Sequence, residues 1–447
     1  MPRPRRYHPL GVFLNGRLVG HLGREASGAV DFRYDPDWLN WDSAFPISLS
    51  LPLREDRYLG EPVIAVFDNL LPDNDVLRRR MAERVGAGGT DAYSLLATIG
   101  RDCVGALQFL PEGEKPGAAG MVDGKPIDDE EIARILGDLS VAPLGLGEDT
   151  DFRISIAGAQ EKTAFLFWKN RWYKPLGATA TTHILKPEIG RLPNGIDLTA
   201  SVENEFLCLR LTAALGIPTA RVEMAWFGDR RTLVVERFDR RRTRDGRLLR
   251  LPQEDCCQAL SVLPTRKYQS EGGPGIADIL DLLKGSDDPE EDQTQFLKAA
   301  IVFWLLGATD GHAKNFSLFL SPGGRFRLTP LYDVISAQPS ADAGQIPRNR
   351  LKLAMSVGDK RHYVVDTVMP RHFIQTAARA GVGASIVERA FTEIRAAAPG
   401  AVEQVRNELP KDYPIPMADS IIGGFENRLR FLQEIRRADS TFSDQDK

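Results

Sequence analysis

The sequence predicts an α+β, bilobal fold in which a strand-rich N-terminal region precedes a helical C-terminal lobe. Short alternating apolar patterns and turn dipeptides, which are typical of strands, dominate as far as residue 251. From residue 252 onward, apolar residues mostly recur at the spacing of amphipathic helices. The 447 residues, 43% hydrophobic and 26% charged, are enough for two or three globular folding units.

Residues 1–110 are predicted to form an N-terminal α+β subdomain. Asn15-Gly16 joins two short apolar segments, which is the strongest short-range hairpin signal. The alternation over residues 45–53 predicts a half-buried strand. Asp73 or Asn74 is a suitable N-cap for the next helix, and residues 111–150 predict a linker followed by a short helix.

Residues 151–251 are predicted to form a strand-rich small lobe with a single helix, which begins near residue 201. Residues 252–437 are predicted to form the helical large lobe, interrupted by strands at 316–334. The polar tail 438–447 is predicted to be disordered. A two-lobed chain offers a cleft between its lobes as the natural place for a ligand.

Composition excludes several classes of protein. Lys and Arg number 57 against 61 Asp and Glu, so the chain lacks the basic field of a stand-alone nucleic-acid-binding protein. Its four cysteines form no C-x-x-C pair, which favours reduced structural thiols. The most apolar run, 299–308, is half of the roughly 20 residues that a bilayer span requires. These features predict a cytoplasmic protein with no membrane segment.

The stretch LLGATDGHAKNFSLFL, residues 305–320, holds the first candidate site. Asp310 and Asn315 have the Asp-x4-Asn spacing of protein-kinase catalytic loops, where the Asp accepts a proton and the Asn binds Mg²⁺. Asp333 follows 18 residues later, after two short strands, and is placed to return as a second metal ligand. Lys314 is interpreted as a solvated charge, and a simple helix-stopping turn at Asp310-Gly311 is the structural alternative.

Other kinase-like parts occur in kinase order. Lys186 lies on a predicted buried strand, from which it could reach ATP phosphates, and Glu203 or Glu205, the latter favoured, could pair with it. The strand end at residues 236–238 could receive an adenine or be an ordinary strand end. SIAGAQEK, residues 155–162, could cradle phosphates through backbone N–H groups, although it lacks the glycine triplet of kinases.

Seven segments together resemble the HipA family of serine/threonine-protein kinase toxins. They are DFRISIAGAQEKTAF, TTHILKP, VERFDRR, LPQEDCCQ, GGPGIA, GATDGHAKNFSLF and LTPLYDVISA, and FDNLLPDN and SLSLPL resemble the N-terminal region of that family. The resemblance is collinear over residues 10–435. It implies a protein-kinase-like fold and an enzyme that uses ATP and Mg²⁺.

The resemblance also implies roles for individual residues. Asp310 would be the catalytic base, Asn315 and Asp333 would bind the metal, and Ser155 would be the autophosphorylation site that switches the enzyme off. The residues implied to bind ATP are Ala157, Gly158, Ala159, Gln160, Glu161, Lys162, Lys186, Glu236, Arg237, Phe238, Asp310, Gly311, His312, Tyr332 and Asp333.

For biology, the resemblance implies a type II toxin–antitoxin system. The expected substrate is glutamyl-tRNA synthetase, whose phosphorylation would cause growth arrest and persistence. The expected partner is a HipB-like helix-turn-helix antitoxin, and the complex would repress its own operon by binding operator DNA, mainly through the antitoxin.

Three alternatives remain open at this point. The arginine-rich segment 237–250 could be a nucleic-acid patch or a solvated hairpin. His312 beside Asp310 and Asp333 could belong to a metal-dependent phosphohydrolase. The chain could also be a catalytically idle scaffold that helps a partner repress transcription.

Overall fold

The structure is a computed structural model that describes residues 7–146, 154–158 and 160–443, with side chains described as far as residue 433. Within the described residues, the chain divides into two compact units. Unit 1 comprises Met1–Pro187, Ala225–Arg266 and Ser317–Phe326. Unit 2 comprises Glu188–Met224, Lys267–Phe316 and Arg327–Lys447.

Strands and helices alternate through the described part of the chain. The strands are β1 (Leu10–Leu14), β2 (Arg17–Arg24), β3 (Val30–Tyr34), β4 (Tyr58–Leu59), β5 (Leu107–Leu110), β6 (Gly124–Ile127), β7 (Thr163–Trp168), β8 (Arg171–Pro175), β9 (His183–Pro187), β10 (Gly190–Arg191), β11 (Asp197–Leu198), β12 (Val222–Phe227), β13 (Arg230–Glu236), β14 (Arg240–Arg242), β15 (Leu248–Arg250), β16 (Gln253–Asp255), β17 (Ser317–Ser321), β18 (Arg325–Leu328), β19 (Lys352–Val357) and β20 (His362–Val364). The α-helices are α1 (Pro36–Leu39), α2 (Glu61–Asp68), α3 (Asp75–Val85), α4 (Ala92–Ile99), α5 (Asp129–Gly137), α6 (Ser201–Ala214), α7 (Cys256–Ala259), α8 (Ile276–Leu283), α9 (Pro289–Leu306), α10 (Gln338–Asp342), α11 (Pro370–Arg379), α12 (Ala384–Glu408) and α13 (Ile415–Ser443).

Unit 1 is built mainly on two sheets. The N-terminal sheet has the order β4-β3-β2-β1-β5, and a second sheet has the order β12-β13-β9-β7-β8-β6. Asn15 and Gly16 join β1 to β2 with φ angles of 46° and 86°, so the predicted hairpin is confirmed. Asn74 caps α3, because its side chain accepts the N–H groups of Val76 and Leu77. The predicted α+β class with a strand-rich N-terminal region is thus confirmed.

The predicted strand over residues 45–53 is wrong. The segment forms turns and bends, and some of its polar groups bond to residues far along the chain. Leu49 N–H donates to a Glu254 carboxylate oxygen across 2.8 Å, and Ser50 Oγ donates to the Gln258 carbonyl across 2.8 Å. The alternating polar positions of residues 45–53 therefore supply hydroxyl and backbone groups that hydrogen-bond to residues 254–258.

Unit 2 is mostly helical, as predicted for the C-terminal part. Its central helix is α9, which begins with Pro289 and three acidic residues that favour a helix N-terminus. Helix α6, which the sequence analysis assigned to the small lobe, belongs to unit 2. Helix α12 continues past Pro399, although a proline inside a helix usually ends or kinks it.

The predicted disordered tail, 438–447, overlaps α13, which extends to Ser443 because no Pro or Gly interrupts its last turns. Residues 444–447 lie outside the described residues. The predicted five-part division of the chain stays a prediction; the two compact units divide the chain at other points. In the described part of the chain, no helix combines the length and the apolar character that spanning a membrane demands.

Candidate active site

The DGHAKN loop, residues 310–315, begins just after helix α9 ends. Gly307 adopts a φ of 62° and stops the helix. Gly311 allows a close approach, because an added Cβ would lie 2.6 Å from the Phe303 ring. The Asp310 side chain is 62% exposed, whereas the other polar side chains of the loop are buried. The loop is therefore closely packed, and among its polar side chains the Asp310 carboxylate is the one exposed to solvent.

The two predicted metal ligands lie side by side in unit 2. Asn315 Nδ2 donates to Asp333 Oδ2 across 3.1 Å, and Asn315 Oδ1 accepts the His312 backbone N–H across 3.3 Å. Tyr332 holds the adjoining segment, because its hydroxyl donates to the Lys314 carbonyl across 2.8 Å. Lys314 is 7% exposed, so its interpretation as a solvated charge is wrong: its backbone and side chain lie within the packed loop.

This pair of side chains fits a magnesium ion. Asp333 has a φ of 60°, a conformation that non-glycine residues adopt rarely and that recurs at functional sites. A carboxylate and an amide oxygen are hard ligands of the kind that Mg²⁺ takes together with substrate phosphates. Among the described residues, no group of three or more His, Cys, Asp or Glu could hold an ion by itself. The oxygens of Asn315 and Asp333 fit a magnesium ion whose other ligands are phosphate oxygens.

Sequence reasoning missed Tyr268. Its hydroxyl donates to Asp310 Oδ1 across 2.6 Å, and its ring meets His312 edge-on with centroids 5.0 Å apart. His312 Nε2 lies 3.9 Å from Asp310 Oδ2. Tyr268 is 42 residues from Asp310 along the chain, so no spacing rule connects the two.

The candidate phosphate loop in unit 1 curls around a lysine. Lys162 Nζ donates to the Ala157 carbonyl across 2.7 Å, and this side chain is buried. Gly158 has a φ of 105°, and an added Cβ would lie 2.6 Å from Lys162 Nζ. Glu161 is exposed, and Ala159 lies outside the described residues. The turn therefore combines a glycine-dependent conformation with an ammonium group, which suits an anion.

Ser155, the predicted autophosphorylation site, is fully buried at the start of this loop. Its Oγ donates to the Leu70 carbonyl across 2.8 Å, and its N–H donates to the Asp102 carbonyl across 2.9 Å. Farther along the loop, Gln160 Nε2 donates to the Pro187 carbonyl across 3.2 Å. The Ser155 hydroxyl can accept a phosphoryl group only after its segment leaves this position.

Lys186 lies on β9 with its side chain 6% exposed, opposite Leu233 of β13. Glu203 and Glu205 are buried residues of α6. The pairing of Lys186 with Glu205 stays a prediction.

The candidate hinge at the end of β13 is only partly suited to a nucleotide. Arg237 is fully enclosed: its N–H donates to the Thr182 carbonyl across 2.8 Å, and its guanidinium bonds inside unit 1. The N–H and guanidinium groups of Arg237 are thus engaged within unit 1, and a contact between Arg237 and a nucleotide stays a prediction. Glu236 is exposed, and Phe238 packs edge-on against Phe319 with centroids 5.8 Å apart.

The arginine-rich segment 237–250 is also not a uniformly solvated hairpin. Three of its arginines enter a buried ionic cluster, which we call the Asp102 cluster: Asp102, Arg237, Asp239, Arg240 and Arg250. Burial alone would raise the pKa of the Asp102 carboxyl, but the charges of Arg240, Arg250 and Arg237 hold it well below its usual range.

A second buried carboxyl behaves in the opposite way. Burial raises the pKa of Glu254 to about 8, although the Leu49 N–H that it accepts counteracts this shift. Glu254 therefore favours its protonated form at neutral pH.

An exposed Asp at the end of a buried helix, with an Asn–Asp pair beside it, is the arrangement of protein-kinase catalytic loops. The fold and these residues of unit 2 place the chain in the kinase-like class. Family comparison makes the assignment more specific. Residues 154–402 match the HipA-like C-terminal domain, and residues 10–110 match the HipA N-terminal domain. The chain belongs to the HipA family.

Individual relatives agree with this assignment. A curated Sinorhizobium fredii protein, provisionally named kinase Y4mE, is 37% identical over 89% of this chain and 91% of its own length. The serine/threonine-protein kinase toxin HipA of Shewanella oneidensis is 30% identical over 78% of this chain and 79% of its own length. The solved complex of Shewanella oneidensis HipA, HipB and operator DNA contains a chain that matches with a TM-score of 0.79 and 26% identity, over 96% of this chain and 99% of that one.

Proposed function

We propose that the protein is an ATP- and Mg²⁺-dependent serine/threonine-protein kinase and the toxin of a type II toxin–antitoxin system. The observation that carries the proposal is the exposed Asp310 carboxylate in the same loop as Asn315, which bonds to Asp333. The names of the curated relatives, which describe kinases and a kinase toxin, support the same class.

Asp310 accepts the proton of the attacking serine or threonine hydroxyl as the new O–P bond forms, and ADP leaves. Asn315 and Asp333 would hold Mg²⁺, which supplies neutralisation of phosphate charge when bound. Residues 157–162 and Lys186 would bind phosphates, and His312 and Tyr332 would support the catalytic loop. Residues 236–238 would contact the adenine. In such a reaction the protein contributes position and electrostatic stabilisation rather than covalent chemistry.

Autophosphorylation on Ser155 inactivates the enzyme. Phosphate would add roughly −1.5 to −2 of charge at neutral pH. The buried position is unsuited to that charge, because the Ser155 hydroxyl lies against the Leu70 carbonyl, which cannot donate a hydrogen bond to a phosphate. The modified segment would therefore stay displaced and deprive ATP of its phosphate loop.

The expected substrate is glutamyl-tRNA synthetase, so that activity would lead to growth arrest and persistence in the cytoplasm. The expected partner is a HipB-like helix-turn-helix antitoxin that carries the complex to operator DNA. The solved relative, a complex with HipB and operator DNA, supports this partnership.

The test is incubation of the purified chain with Mg-ATP, followed by intact-mass and peptide mass spectrometry. The chain should gain about 80 Da at Ser155, one phosphoryl group. Asp310→Asn should abolish the gain, whereas Asp359→Asn, an exposed carboxylate in another loop of unit 2, should leave it unchanged. Unimpaired labelling of Asp310→Asn would refute the assignment of the base.

Two other outcomes would favour different functions. Release of phosphate from small esters without ATP would indicate a metal-dependent phosphohydrolase. Operator binding with the antitoxin, without ATP-dependent labelling of the chain or of glutamyl-tRNA synthetase, would indicate an idle scaffold.

A further inference from the structure

A tyrosine outside the predicted set lies against the proposed base. The Tyr268 hydroxyl is 2.6 Å from Asp310 Oδ1, a distance typical of a hydrogen bond to an ionised carboxylate. The same ring packs edge-on against His312. Tyr268 thus contacts the DGHAKN loop at two of its residues.

The turn that carries Tyr268 is firmly held. The Tyr268 carbonyl accepts the N–H groups of Glu271 and Gly273 across 3.0 and 2.9 Å, which closes the turn. Gln269 Oε1 accepts Ser356 N–H across 2.7 Å and Ser356 Oγ across 2.9 Å, which ties the turn to β19. The phenol is therefore presented to Asp310 from a braced backbone rather than from a freely moving loop.

An exposed aspartate has several accessible rotamers, and only some of them aim an oxygen at the attacking hydroxyl. With its side chain 62% exposed, Asp310 needs a partner to hold one orientation. We propose that Tyr268 is a positioning residue, whose hydroxyl fixes Asp310 through Oδ1 so that Oδ2 is aimed as the proton acceptor. This role rests on the proposed kinase function.

The same geometry would also fit an inhibitory role for Tyr268. A phenol that donates to the base could instead occupy the place of the substrate hydroxyl and inhibit the enzyme. The two roles predict opposite signs: removal of the hydroxyl lowers turnover if Tyr268 positions Asp310, and raises turnover if Tyr268 blocks it.

The chain offers a matched pair of variants. Tyr268→Phe keeps the ring against His312 and removes only the hydroxyl. Tyr363→Phe removes a neighbouring hydroxyl, which lies 3.5 Å from Gln269 Oε1 and not against Asp310. The two shorter bonds from Ser356 to the same oxygen remain and keep the Tyr268 turn in place. In steady-state phosphorylation assays, Tyr268→Phe should lower kcat about 10-fold and leave KM for ATP within about 2-fold of the wild-type value. The substitution removes the orientation of the Asp310 carboxylate and does not affect nucleotide binding. Tyr363→Phe should match the wild type.

A second measurement does not depend on kinase activity. A carbodiimide reacts with protonated carboxyls, and a hydrogen bond to the ionised form disfavours protonation. At one fixed pH, labelling of Asp310, read by peptide mass spectrometry, should be about 3- to 10-fold faster in Tyr268→Phe than in Tyr363→Phe. The 62% exposure of the Asp310 side chain makes it accessible to the reagent.

The two measurements separate the possible failures. Faster labelling together with reduced kcat supports the positioning role. A raised kcat, phosphate found on Tyr268, or equal labelling in both variants overturns it. If the wild type transfers no phosphate but Asp310 is still labelled faster in Tyr268→Phe than in Tyr363→Phe, the kinase function is refuted. The hydrogen bond from Tyr268 to Asp310 is then still supported.

Discussion

Replacement of Asp102 by Asn should strongly destabilise unit 1. In the Asp102 cluster, three buried guanidiniums face two buried carboxylates, and the Asp102 side chain is 2% exposed. Asp102 Oδ1 accepts from Arg240 and Arg250 across 2.9 Å each, and Oδ2 accepts Thr181 Oγ1 across 2.7 Å. Asn is nearly isosteric but neutral, so three buried cations would face one carboxylate.

Removing one partner of a buried ion pair typically costs about 3–5 kcal/mol, because the remaining charge stays buried without compensation. The Asp102→Asn loss in free energy of unfolding should fall in that range. Asp245→Asn is the control, since Asp245 also pairs with an arginine of segment 237–250 but its side chain is 56% exposed. That solvent-screened pair should contribute little, so Asp245→Asn should unfold with nearly the free energy of the wild type.

Urea unfolding followed by tryptophan fluorescence gives the free energies, and hydrogen exchange of the peptides that carry the Asp102 cluster gives a local measure. Removing one cation as well, in Asp102→Asn with Arg250→Met, should recover part of the loss. Folding lowers the pKa of Asp102, so the ionised carboxylate contributes its full stabilisation well above the ordinary carboxyl pKa. That stabilisation is lost progressively as pH falls from the ordinary value toward the lower pKa of the folded state. A loss below about 1 kcal/mol, or one equal to that of Asp245→Asn, would refute the ionic account.

Two further substitutions test buried contacts. Folding raises the pKa of Glu254 to about 8 from the unfolded value of 4.5, so wild-type stability should decline as pH rises through that window. In thermal unfolding at pH 5 and pH 8, the stability of the wild type relative to Glu254→Gln should fall by about 3–4 kcal/mol, because each pH unit between the two pKa values contributes about 1.4 kcal/mol. A pH-independent difference would contradict this. Gly311→Ala should cost about 1–3 kcal/mol, because its Cβ would lie 2.6 Å from the Phe303 ring. Gly400→Ala, in α12 with open space around an added Cβ, should be neutral or slightly stabilising in the same thermal assay.

Local chemistry was predictable from the sequence where it depends on short spacing. The hairpin at Asn15-Gly16 follows from turn preferences, and the approach of Asn315 to Asp333 follows from a strand-turn-strand segment between them. The α+β class follows from the change in apolar periodicity at residue 252.

Long-range pairing of side chains was not predictable. Asp102 and Arg237 are 135 residues apart, and no periodicity marks either as a buried ion. The segment 45–53 alternates like a strand, yet its polar positions bond to residues 254–258. Tyr268 reaches Asp310 through tertiary structure alone. Such partners become visible only when the whole fold is known.

If the proposed autophosphorylation on Ser155 takes place, the burial of this residue has a kinetic consequence. Between buried Ile154 and Ile156, the Ser155 hydroxyl can react only in the small fraction of molecules whose segment has opened. The inactivation rate would then equal the opening equilibrium multiplied by the rate of phosphoryl transfer. Under that proposal, substitutions around Leu70 would change the rate of self-inactivation without changing the phosphorylation of other proteins. The stability of the buried position of Ser155 would thus set how quickly the enzyme inactivates itself.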